Sequence, residues 1–151
     1  MNLKTTLFAL LAFCLILNIE AKQVTITEAE KAAKNFIFIT SNKYENVCSY
    51  NEIRLTDPYV YQVNQTPIFY AFQTDPGFII ISAEDAFTPV LGSSFEGRFD
   101  FENAPAHYKS FILHYAEQIT YLRDNQVEPA LEIAAAWDEL KNDDISYLSV
   151  S

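Results

Sequence analysis

The chain has 151 residues, half of them hydrophobic and 15% aromatic, with a formal net charge of −10. So apolar a composition argues against a disordered chain, and so negative a charge argues against a nucleic-acid or anionic-lipid partner and for a basic one. With Cys14 in the leading segment, Cys48 is the only other cysteine, so no disulfide is expected to staple the remaining domain.

Met1–Lys4 carries one positive charge, Thr5–Leu17 is apolar, and Ile19-Glu20-Ala21 ends on a small residue. This is the order of a secretory signal peptide. As a helix, Thr5–Leu17 would span about 20 Å, short of the ~30 Å hydrocarbon core of a bilayer. Residues 1–21 are therefore read as a signal and residues 22–151 as one exported domain, periplasmic or secreted, with no membrane span after cleavage. Bulky Phe13 and the apolar run Leu15-Ile16-Leu17 argue against a lipid attached to Cys14.

Thr27-Glu28-Ala29-Glu30 fits a capping box. Ala29, Ala32, Ala33, Phe36 and Ile37 then recur at helical spacing, which predicts a helix over about Glu28–Ile39 with a small-residue face against a sheet. Tyr59–Val63, Ile68–Phe72 and Phe78–Ile81 are aromatic and β-branched runs of strand length, and Pro89–Ser93 reads as a fourth. Thr74-Asp75-Pro76-Gly77 is a turn in which proline sets the first corner and glycine takes the positive φ that follows. Asn64-Gln65-Thr66-Pro67 does a similar job one strand earlier, and Phe95-Glu96-Gly97-Arg98 is a turn leaving the sheet. Connections this short favour antiparallel neighbours.

Asn103 is a natural N-cap for a helix over about Pro105–Arg123, whose stripe is Tyr108, Phe111, Ile112, Tyr115, Ile119 and Leu122. A last helical piece spans about Pro129–Lys141, and the tail from Asn142 either stays loose or adds an edge strand. The fold class expected is α+β: an antiparallel meander of about four strands, packed by an N-terminal helix and one or two C-terminal helices.

Little here points to catalysis. Gly77, Gly92 and Gly97 are isolated, so no glycine-rich phosphate loop is available. His107 and His114 lie seven apart, too far for the usual chelating pair on a helix. Asp75, Glu84, Asp85 and Asp100 lack the alternating pattern of a calcium loop. Cys48, in Asn46-Val47-Cys48-Ser49-Tyr50, has none of the context of a catalytic thiol, and burial as a small apolar residue is expected. No enzyme activity, metal or cofactor is expected.

From Ile68 to Ile119 the chain resembles a known family. The matching elements are Phe69-Tyr70-Ala71-Phe72, Asp75 through Asp85, Thr88-Pro89-Val90-Leu91-Gly92-Ser93-Ser94, Gly97-Arg98-Phe99-Asp100 and Tyr115–Ile119. They are similar to the propeptide of streptopain-type cysteine proteases and to the Spi protease inhibitors. Ser93-Ser94 departs from that family's commoner Tyr-Ser. The resemblance implies a secreted inhibitor of a streptopain-like cysteine protease, binding as a preformed monomeric domain through roughly 800 Å² per partner.

In such zymogens the segment after the Phe-Asp element approaches the catalytic cleft. Here that implies contacts from Phe101, Glu102, Asn103, Ala104 and Pro105, with Asn103 foremost. Because the sequence stops at Ser151, where such proteases continue into a catalytic domain, a stand-alone inhibitor is expected. The alternatives are a folding helper acting in trans, or a binding module presenting aromatics such as Tyr44, Tyr59 and Tyr147.

Overall fold

The computed structural model describes residues 22–43 and 48–143. The expected signal segment, Tyr44 and the tail from Asp144 onward, including Tyr147, lie outside the described residues.

The first helix, α1, runs Ile26–Asn42. Its cap is Thr25, two residues earlier than expected: Thr25 Oγ1 accepts the Glu28 amide at 3.2 Å, and Glu28 Oε2 accepts the Thr25 amide at 2.8 Å. Thr25-x-x-Glu28 and Thr27-x-x-Glu30 are identical as patterns. What separates them is Val24, which is buried and whose amide bonds to the Ala83 carbonyl, so the chain is still extended there and turns helical directly after it. Ala29, Ala32 and Ala33 are fully buried, as the small-residue face predicts.

Four strands follow a short 3₁₀ turn at Tyr50–Glu52: β1 Thr56–Val63, β2 Thr66–Gln73, β3 Phe78–Ser82 and β4 Val90–Ser94. They form one antiparallel sheet in sequence order, the expected meander. The first hairpin differs in its turn. Asn64 and Gln65 both take positive φ, 50° and 65°, as a primed two-residue turn requires, while Thr66 and Pro67 already belong to β2. At the second hairpin the Thr74 amide donates to the Gly77 carbonyl at 2.8 Å. Gly77 has φ +103° as expected, but the Asp75–Pro76 peptide is cis, unlike an ordinary proline-led corner.

Both faces of the sheet are covered, which explains why β2 and β3 read as unbroken apolar runs. Tyr70, Phe72, Ile79 and Ile81 point to α1 and to α3, which runs Leu131–Lys141 and contributes Trp137 and Leu140. The buried amide of Asn35 ties these helices together by donating to the carbonyls of Leu140 and Asn142 at 2.7 and 3.1 Å. Phe69, Ala71, Ile80 and Leu91 point the other way, to α2, which runs Ala106–Asp124. The buried stripe of α2 is Ile112, Ala116 and Ile119, narrower than the expected one. Phe111 is exposed, its ring resting edge-on against Tyr115 at 4.8 Å.

Candidate functional site: the loop between the sheet and α2

After β4 the chain turns at Gly97 (φ +74°) and crosses the end of the sheet before α2 begins. A buried side chain, Gln73 at the end of β2, ties down the crossing. Its Nε2–H groups donate to the Gly77 carbonyl and, at 3.2 Å, to the Gly97 carbonyl, while Oε1 accepts the Phe99 amide at 3.1 Å. A buried amide with both ends satisfied holds its partners because water cannot replace them.

Two aromatic anchors fix the loop further along. Phe99 packs on Tyr59 at 5.3 Å and Phe78 at 5.6 Å, and Phe101 meets Tyr61 at 5.6 Å, with Phe69 beneath both. Each such ring pair adds about 0.5–1.5 kcal/mol beyond the area it buries. Arg98 bonds to Asp57 at 3.0 Å, but both side chains are mostly exposed, so that pair adds at most about 1 kcal/mol.

Beyond Phe99 the loop turns outward. Asp100 Oδ1 accepts the Asn103 amide at 3.0 Å, and Asp100 Oδ2 accepts the Asn103 side-chain amide at 2.8 Å. These bonds, the side-chain one first, hold the Asp100 carboxyl below its ordinary pKa of 3.8. From the helix side, Lys109 Nζ donates to the Glu102 carbonyl at 2.6 Å. A shallow cavity of about 340 Å³ lies beside the loop, lined by Phe78, Arg98, Asp100, Asn103 and Tyr108 among others.

This arrangement corrects one expectation. Asn103 is not the N-cap of α2; Pro105 holds that position (φ −56°, ψ 148°), and no side chain caps the helix. The carboxylate three residues before Asn103 takes both its backbone and side-chain N–H groups, and an ionised carboxylate is a stronger acceptor than a carboxamide is a cap. Of the other residues implied by the resemblance, Glu102 and Pro105 are exposed and Ala104 is half-buried beside them. The Phe101 ring turns inward to the aromatic cluster. Tyr59 belongs to the same cluster, and burial raises its phenol pKa, so it is not the exposed aromatic that a binding-module reading requires.

Cys48 is half-buried rather than enclosed, against Phe38 and Ile53, and lines a cavity of about 270 Å³ that neither histidine reaches. No group of three or more metal-ligating side chains gathers among the described residues. None of their helices is long and apolar enough to cross a membrane. Gln73 and Lys109 escaped the sequence reading, and Asp100 entered it only as a rejected calcium ligand and a family-motif residue, not as the partner of Asn103. Only the Asp100-x-x-Asn103 spacing offered a local signal, that of a side chain closing its own turn.

The structure is thus a packed scaffold from which one loop projects, tied down from both ends. The sequence pattern of the Spi protease inhibitor family matches residues 21–119, about two thirds of the chain, and the protein belongs to that family. It is also 29% identical over 124 residues to a thiol protease/hemagglutinin, PrtT, of Porphyromonas gingivalis. That alignment covers 80% of this chain and 14% of the relative's length. No solved structure gives a significant match.

Proposed function

We propose that this protein is an exported, monomeric, non-catalytic inhibitor that acts in trans on a streptopain-type cysteine protease, seating the loop around Asn103, residues 101–105, in the catalytic cleft. Membership of a protease-inhibitor family gives the coarse role. The finer reading is carried by the exposed tip at Asn103, held at one end by Asp100 and Lys109 and at the other by Gln73 and two phenylalanines. A loop already in its bound shape loses little conformational entropy on association, the usual route to tight binding from a modest interface. It inhibits by filling the cleft, and its own groups need do no chemistry.

The test is to titrate the purified protein against a panel of streptopain-type proteases, the P. gingivalis thiol protease among them. Nanomolar inhibition of at least one supports the reading; full activity at micromolar protein contradicts it.

The relative supports a second reading. The aligned region is a small part of a thiol protease/hemagglutinin, as it would be if it served there as a propeptide. The domain would then help a protease fold. Faster recovery of activity from denatured protease when the protein is present separates this role from inhibition alone.

A further inference from the structure

We propose that Asp100 is a positioning residue for protease recognition: it holds the side chain of Asn103 by the amide nitrogen and so presents the carboxamide oxygen outward, to a hydrogen-bond donor of the cleft. The inference rests on the reading that Asn103 enters the cleft, and adds which end of its side chain meets the enzyme.

The orientation follows from what each group can do. A carboxylate only accepts, whereas a carboxamide donates through nitrogen and accepts through oxygen. Asp100 Oδ2 lies 2.8 Å from the Asn103 side chain, so the nitrogen must face it. Turning the amide over would set oxygen against oxygen. Because Oδ1 of Asp100 also accepts the Asn103 main-chain amide, the carboxylate grips both ends of the residue and leaves the side chain little rotation. No hydrogen bond among the described residues uses the Asn103 carboxamide oxygen, and the residue is exposed. Asn103 is thus a fixed acceptor aimed at solvent.

The partner chemistry this selects is a donor, such as a protonated imidazole or a pair of backbone N–H groups. A cysteine protease carries both where it stabilises its thiolate and its oxyanion. Lys109 stiffens the same turn through the Glu102 carbonyl and leaves the carboxamide alone. Fixing the presented atom is therefore the work of Asp100.

The decisive substitution is Asp100→Asn. It keeps size and an acceptor for the main-chain amide, but its own NH₂ can be turned toward Asn103, which allows the Asn103 amide to flip and present nitrogen. Asp100→Ser serves as a second variant, since a serine hydroxyl still accepts the main-chain amide without orienting the side chain. Inhibition constants against a protease inhibited by the wild type would be measured for both, for Asn103→Ala and for Asp100→Asn/Asn103→Ala, each with a melting curve.

The expected result is a loss of about tenfold or more for Asn103→Ala and a comparable loss for both Asp100 variants, at unchanged melting temperature. The double variant should be no weaker than Asn103→Ala alone, because Asp100 acts only through Asn103. Wild-type inhibition by Asp100→Asn, or full additivity in the double variant, overturns the inference while leaving the cleft contact standing. Wild-type inhibition by Asn103→Ala removes the contact itself, and the inference with it.

Discussion

Arg123, near the end of α2, donates its Nε–H to Oε2 of Glu84 across 2.8 Å, and its Nη2 reaches the carbonyls of Pro67 and Ala83 at 2.9 and 3.3 Å. One guanidinium thus joins the helix to the chain entering β2 and leaving β3. Glu84 is 1% exposed, and its Oε1 has no hydrogen-bond partner among the described residues. Burial raises its pKa above the ordinary 4.5, and Arg123 only partly offsets this.

Replacing Arg123 with Met keeps the aliphatic packing and strips the charge. A buried ion left without its partner typically costs about 3–5 kcal/mol, so Arg123→Met should lower stability by about 3 kcal/mol at neutral pH in urea denaturation. The sign with pH follows from proton uptake. A carboxyl with a raised folded pKa binds more protons folded than unfolded, so its contribution is full below the unfolded value and is lost as pH rises through the folded one. Without Arg123 that loss deepens. The deficit of Arg123→Met should therefore be larger at about pH 7.5 than at about pH 5, and the reverse order would show that burial does not govern Glu84.

Gly77 and Gly97 both take positive φ, but in different surroundings. A Cβ at Gly77 would lie 2.0 Å from the Ser94 carbonyl oxygen, whereas one at Gly97 meets nothing within 4 Å. Gly97→Ala should cost the left-handed penalty alone, about 1–2 kcal/mol. Gly77→Ala adds a clash with main chain and should cost about 2–5 kcal/mol in the same denaturation assay. Equal losses would mean that Ser94 yields freely.

Thr25→Ala should cost about 1 kcal/mol by removing the cap of α1, and Thr27→Ala, on the exposed first turn, much less. Thermal melts of the two variants check which capping box is the real one.

Gln73→Leu keeps the volume of the side chain while abandoning the carbonyls of Gly77 and Gly97 and the amide of Phe99. Buried groups left without partners cost about 1–3 kcal/mol in stability. Because these partners root the Asn103 loop, inhibition should also fall at temperatures where the variant is still fully folded. Unchanged inhibition there would mean that the aromatic anchors suffice.

The sheet was readable because its signals are local or nearly so. Phe78–Ile81 is a short aromatic and β-branched run directly after the turn residues Asp75-Pro76-Gly77, which marks a strand. Its cover on both faces emerged only in the fold. The α1 cap was off by two residues because two threonines each stand three before a glutamate; the choice fell to the main-chain bond between Val24 and Ala83, far away in sequence. The Asn103 loop was legible in its position but not in its bonding. Whether Asn103 caps a helix or serves Asp100 depends on a competition between acceptors that composition does not rank. The Gln73 and Glu84–Arg123 ties join residues 26 and 39 positions apart, and no periodicity marks them.

Occupation of the cleft is best tested at the enzyme's own nucleophile. A sensitive streptopain-type protease would be treated with iodoacetamide, with and without saturating protein, and alkylation of its catalytic cysteine followed by mass spectrometry. Slowing by about tenfold or more with the wild type, and less with Asn103→Ala at equal occupancy, is the result predicted. Alkylation at the free-enzyme rate within a fully formed, inhibited complex would place the bound loop away from the cleft and contradict the account.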